Sequence, residues 1–183
     1  MFMSTIKKIK TPFIVWFTGL SSSGKTTLSV NLKKKLYKKG YKKIKLIDGD
    51  IFRKKISNFQ YDTKSRERIG ILKAKLARKY QKDGNIVIVS GIANKKKWRS
   101  DIKSKMNNFI EIYTKCPVTI CESRDKAKNY KKAQTGKINN FIGINNKYEE
   151  GKSLDLTINT SKISLNKSLI KIINYLKKEN YVF

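Results

Sequence analysis

The 183-residue sequence predicts an α/β fold in three layers, a parallel β-sheet with helices on both faces. Two observations predict it. Short apolar runs alternate along the chain with segments whose apolar residues recur every three or four positions, which is the pattern of strands joined by crossover helices. A glycine- and serine-rich turn also lies between the first such run and the first such helix, where this architecture places a ligand.

Taken in order, Phe13–Phe17 is short, apolar and partly aromatic, and reads as a buried strand. Lys7, Lys8 and Lys10 before it, and the serines after it, resemble a signal peptide, but cleavage there would destroy the glycine turn, so a first strand is expected. Leu28, Leu32 and Leu36 repeat every four residues in a helix from Gly24 to about Lys39, closed by Gly40. Lys43–Ile47 is a second strand, ending at Asp48-Gly49-Asp50. Asp62 or Ser65 can cap a helix running to about Lys82, with Asp83-Gly84 as its stop. Asn85–Val89 is a strongly apolar strand, Trp98–Met106 is weakly helical, and Phe109–Tyr113 is another strand, with Pro117 placed to start a helix. Residues 126–150 are polar, rich in Lys, Asn and Gly, and weakly periodic, so an ordered loop or lid is expected. Leu156–Ile158 reads as the last strand, and Leu165, Leu169, Ile172, Ile173 and Leu176 give the final helix its apolar stripe. The length predicts one domain over residues 1–183. No apolar run reaches the roughly 20 residues of a membrane span, and a cytoplasmic location is expected.

Composition narrows the chemistry. The net charge is +30, with 37 Lys and 6 Arg against 13 acidic residues. Such a charge invites an anionic partner. Arginine is the usual residue for bidentate phosphate and base-edge contacts, and its scarcity argues against a dedicated nucleic-acid binder and for A/T-rich genomic bias plus a small nucleotide ligand. The chain has no histidine, which removes imidazole acid–base chemistry and His metal sites and leaves a carboxylate, Lys, Tyr or water as the base. Cys116 and Cys121, five apart around Pro117, fit neither a redox pair nor a zinc framework, and are expected as buried free thiols.

The most specific motif is Gly19-Leu20-Ser21-Ser22-Ser23-Gly24-Lys25-Thr26-Thr27, which fits G-x-x-x-x-G-K-[ST] in its required strand–helix context. Small residues let backbone amides wrap phosphates at a helix N-terminus, Lys25 neutralises charge that moves during transfer, and Thr26 can offer a hydroxyl to Mg²⁺. Asp48 and Asp50 lie at the end of the second strand, where one carboxylate can take a proton from an attacking hydroxyl and the other can orient Mg²⁺ through water. Tyr61, Tyr130 and Phe141, with Lys131 and Lys132 between the last two, offer aromatic faces and cations to a planar base carrying anionic charge, or anchor loops onto the core.

The segments GLSSSGKTT, IDGDIFR, DGNIVIVSGI, FIEIYTKCPVTICESRD and YKKAQTGKINNFIGINNKYE, in that order, resemble the adenylylsulfate kinase (APS kinase) family across most of residues 13–160. The lid pattern Y-K-K-A-x-x-G-x-I-x-x-F-x-G-I matches Tyr130–Ile144 without a gap. The resemblance implies a P-loop nucleotide kinase fold with a lid, ATP and Mg²⁺ as cofactors, and transfer of phosphate to the 3′-hydroxyl of a nucleotide acceptor. It assigns Gly19, Ser21, Ser22, Ser23, Gly24, Lys25, Thr26 and Thr27 to the ATP phosphates and metal, with Arg124 over the ATP side. It places Asp50 near the 3′-hydroxyl and near the metal, with Asp48 beside it. Arg53, Arg66, Ile92 and Lys132 fall to the acceptor, whose base Tyr61 and Phe141 would sandwich. Homodimers are common in the family. The chain departs from the family pattern on the acceptor side. Ile69 stands for an asparagine, Gly91-Ile92-Ala93-Asn94-Lys95-Lys96 for F-I-S-P-Y-R, and Ile142-Gly143-Ile144-Asn145 for T-G-I-D. Two acceptors therefore remain open: adenylylsulfate, or a cytidine diphosphate compound such as cytidine diphosphoramidate from capsular polysaccharide modification. A basic nucleic-acid-binding protein with a vestigial phosphate loop is the third reading.

Overall fold

In the computed structural model, which describes residue 9 and residues 11–56, 62–151 and 154–183, the apolar runs become strands of one sheet. They are β1 (Ile14–Thr18), β2 (Ile44–Asp48), β3 (Ile86–Ser90), β4 (Phe109–Lys115) and β5 (Leu156–Asn159). Their order is β2-β3-β1-β4-β5, and every neighbouring pair is parallel. β1 and β3 are buried at every position, which is why their sequences are continuously apolar rather than alternating.

Successive side chains of a strand point to opposite faces, and each face finds its own helices. Phe13, Val15 and Phe17 join Ile88, Ile110 and Ile112 against Leu28, Leu32 and Leu36 of α1 (Lys25–Lys38) and Leu169, Ile172, Ile173 and Leu176 of α7 (Leu165–Lys178). Ile14, Trp16, Val87 and Val89 pack on the other face against Ala74 and Ala77 of α3 (Thr63–Lys82), with Ile102 of α4 (Lys96–Ser104) alongside. The N-cap of α3 is Asp62, whose carboxylate accepts from the Ser65 amide at 3.0 Å; Ser65 itself is inside the helix.

Two helices depart from expectation. The Asp48-Gly49-Asp50 segment, read as a strand end and turn, opens a short helix, α2 (Gly49–Lys55). It has no buried residue and so leaves no periodic signal. Between α5 (Val118–Ser123) and β5, the lid contains α6 (Asn129–Gln134), which buries only Tyr130 and Ala133. These two pack with Leu20, Cys116, Cys121, Phe141 and Ile142 into a small third core, so the lid rests on the phosphate loop. Both cysteines are free and buried there. After the lid, the chain is strapped to α4 and β4: Arg99 meets Glu111 at 2.6 Å and donates to the backbone oxygens of Ala93 and Glu149, while Lys103 meets Asp155 at 2.6 Å.

Candidate active site

The loop from Gly19 to Gly24 turns back at the carboxyl end of β1 and enters α1. Gly19, at φ 138°, has no room for a side chain, because a Cβ would collide with Thr114. Gly24, at φ 96°, is the N-cap of α1 and supplies no side-chain cap. The first amides of that helix are left open to an anion, at the positive end of its dipole. Ser23 does not face outward: it is fully buried, and its hydroxyl meets that of Thr114 at 2.7 Å. The loop is pinned further by the Tyr130 hydroxyl, which donates to the Ser21 carbonyl at 2.9 Å, and by the Thr160 hydroxyl, which donates to the Ser23 carbonyl at 2.8 Å.

Lys25 is almost fully buried, and its ammonium donates to the Leu20 carbonyl inside the loop. Burial pulls its pKa down to about 8, against the opposing pull of Asp50, Cys121 and Asp48. Asp48 is the most constrained group of the site. Its Oδ1 accepts from the amides of Asp50 and Ile51 at 3.0 and 3.2 Å, capping α2, and its Oδ2 accepts from the hydroxyls of Thr26 and Ser90, both at 2.9 Å. Burial works against its charge, but those four donors outweigh it and hold the carboxyl below its ordinary value. Asp50, at the start of α2, is exposed.

A cavity of about 610 Å³ joins these groups. Ser21, Ser22, Gly24, Lys25, Thr26 and Thr27 line one part, Asp48 and Asp50 another, and Arg53, Arg66 and Ile92 another. Arg124 also lines it; its guanidinium donates to the Thr160 carbonyl at 3.0 Å. Arg66 is buried and donates to the Asn140 carbonyl of the lid at 2.9 Å. Phe141 and Lys132 are not brought to the cavity wall. Phe141 is buried edge-on against Tyr130, with ring centroids 4.8 Å apart, because the lid needs both rings to close its own core. Lys132 is exposed on α6. Tyr61 lies outside the described residues. The structure adds Lys73, Ser90, Thr160, Ile163, Ser164, Leu165 and Ser168 to the wall, none of which carries a motif.

Among the described residues no group of three or more His, Cys, Asp or Glu could cage a metal. The Thr26 hydroxyl beside Asp48 is instead a hard-oxygen corner, suited to a Mg²⁺ that keeps most of its waters and arrives on nucleotide phosphates.

A phosphate loop, a buried lysine, two carboxylates where β2 passes into α2 and three arginines around one cavity define a P-loop phosphotransferase. The profile of the family described as adenylylsulphate kinase matches residues 11–159, and the chain belongs to that family. The adenylyl-sulfate kinase of Thermodesulfovibrio yellowstonii is 39% identical over 168 residues, covering 90% of this chain and 84% of its own. That of Clostridium acetobutylicum is 37% identical, covering 90% and 83%. The Mycobacterium tuberculosis APS kinase CysC, solved in complex with AMPPNP and APS, superposes with a TM-score of 0.85 at 27% identity, covering 93% of this chain and 99% of that one. The protein is an ATP-dependent kinase. These relatives give no support to the cytidine diphosphate alternative or to the capsular role tied to it. Among the described residues no helix is long and apolar enough to cross a membrane.

Proposed function

We propose that the protein transfers the γ-phosphate of ATP to the 3′-hydroxyl of adenylylsulfate. The observation that carries this reading is that one cavity is lined by the phosphate loop, by both carboxylates and by Arg53 and Arg66. Donor and acceptor can meet inside it in line, and holding them so supplies much of the rate. The family membership and the relatives' names favour adenylylsulfate as the acceptor.

The loop amides and Lys25 hold the β- and γ-phosphates, and Arg124 with Thr160 flanks the ATP side. The Thr26 hydroxyl, with Asp48 and Asp50 close by, would hold Mg²⁺, which would neutralise charge on the phosphate oxygens. Asp50 accepts the proton from the 3′-hydroxyl as its oxygen bonds to phosphorus and the bond to the ADP oxygen breaks. Lys25 follows the charge that builds on the leaving ADP. Asp48 serves by position: it holds Thr26 and caps the helix that carries Asp50. Arg53 and Arg66 hold the anionic tail of the acceptor.

The test is direct. Purified protein with MgATP is offered adenylylsulfate and, in parallel, cytidine diphosphate and adenosine diphosphate, and products are located by phosphorus NMR. A 3′-phosphate formed preferentially on adenylylsulfate is expected. No turnover of adenylylsulfate, with turnover of another acceptor, overturns the reading.

A further inference from the structure

Lys73 is the buried cation for which neither the motifs nor the reaction scheme has a use. It sits in the middle of α3, 4% exposed, on the face that carries Ile69, Ala74 and Ala77. Its ammonium lies 5.4 Å from the centre of the Trp16 ring and has no hydrogen bond or ion pair among the described residues. Asp48 and Asp50 both favour its charge from a distance, and both oxygens of Asp48 are already committed to four other donors. The side chain lines the active-site cavity. Burying a lysine with no partner is costly unless something else supplies the counter-charge.

Its surroundings leave that ammonium a passage to the acceptor end. A side chain at Gly91 would collide with Nζ, and one at Gly49 would begin 3.6 Å from it. Gly91 stands where the family pattern has phenylalanine, and Ile69, one turn before Lys73, stands where it has asparagine. By that resemblance this part of the cavity wall lacks an amide and a ring, and the Lys73 ammonium occupies the space that a side chain at Gly91 would need. Arg53 and Arg66 line the same cavity.

We infer that Lys73 is a specificity-determining residue of the acceptor side, its ammonium taking an anionic oxygen of the acceptor's 5′ group together with Arg53 and Arg66. Burial, then the nearby charges of Arg53 and Lys25, pull its pKa down to about 8, and an anion seated there would relieve that strain on its charge. The identity of the acceptor rests on the function proposed above; the capture of an anion by Lys73 does not.

The experiment compares wild type with Lys73→Met, which keeps the length and removes the charge, and with Gly91→Ala, whose Cβ pushes the ammonium aside. In steady-state assays Lys73→Met is expected to raise the KM for adenylylsulfate by about 10- to 100-fold, the worth of a hydrogen bond to a charged group. The KM for ATP should stay within twofold, and Gly91→Ala should shift the same way by a few-fold. An adenylylsulfate KM unchanged within twofold in Lys73→Met overturns the inference and leaves the proposed reaction standing. A wild type inert toward adenylylsulfate overturns the proposed reaction, and a second arm then decides. With MgADP saturating the phosphate loop, inorganic sulfate should raise the Tm of wild type and not of Lys73→Met; equal shifts overturn the inference. Should Lys73→Met fail to fold, Gly91→Ala carries both comparisons.

Discussion

Replacing Asp48 by asparagine keeps the shape of the side chain and exchanges one oxygen for an NH₂ group. The carboxylate of the wild type serves four donors, two on each oxygen. In Asp48→Asn the single remaining oxygen can face the α2 amides, or the Thr26 and Ser90 hydroxyls, but not both. With the helix cap kept, both hydroxyls must turn over and accept where they used to donate. All four hydrogen bonds lose their charged acceptor, the two amides now meeting a neutral oxygen and the two hydroxyls a neutral NH₂ group, at a net cost of at least about 2–3 kcal/mol. Asp48 is only 8% exposed, so water does not make up the difference. Urea unfolding at neutral pH should report that loss. The pH dependence carries the sign. Because the folded carboxyl is held below its unfolded value of 3.8, its contribution is fully present above pH 3.8 and is lost as pH falls through the folded value. The gap between wild type and Asp48→Asn should therefore close in acid. The turned Thr26 hydroxyl spends a lone pair on the new NH₂ group, so the Mg²⁺ needed for half-maximal activity should rise by about 10-fold. An Asp48→Asn protein as stable as wild type, or a gap that persists unchanged in strong acid, would refute this account of the carboxylate.

Three further outcomes are expected. Asp50→Asn should lower kcat by about 100-fold or more with ATP affinity retained, as measured by nucleotide titration; an unchanged kcat removes Asp50 as the base. ATP affinity should fall about fivefold between pH 8 and pH 9, because Lys25, with its pKa near 8 in the unliganded protein, goes from about half protonated to about one-tenth protonated over that interval; the slope should vanish in Lys25→Met. Arg99→Met strands Glu111, whose own carboxyl is pushed up by burial, and should cost about 3–5 kcal/mol in chemical unfolding, much of it recovered when Glu111→Leu is added.

What the sequence made legible follows physical size. The strands show themselves because both faces of a central parallel strand are buried, and α1 and α7 because their leucines and isoleucines recur on one face. The phosphate loop is legible because backbone geometry demands glycine at positions 19 and 24. α2 is invisible to periodicity, since its helix is set by the Asp48 cap rather than by an apolar stripe. Ser90 and Thr160 reach the site only through sheet register and the β5–α7 turn, contacts that span 42 and 137 residues. Phe141 shows the opposite failure: its aromatic character is plain in the sequence, but packing against Tyr130 decides where the ring goes. Lys73 does leave a trace, as a lysine in a helix position where Ile69, Ala74 and Ala77 call for an apolar residue.

The lid touches both halves of the site through two bonds already described. Tyr130 holds the Ser21 carbonyl of the phosphate loop, and Asn140 is held by Arg66, the arginine proposed to take the acceptor. Tyr130 and Asn140 are only ten positions apart, so one short segment ties the phosphate loop to the proposed acceptor side. Any movement of Ser21 on nucleotide binding is passed to that short segment or breaks its bond, and the same holds in reverse from Arg66. Such a linkage is a shared free energy, so its consequence is symmetrical: whatever factor ATP adds to the affinity for the second ligand, the second ligand must add to the affinity for ATP.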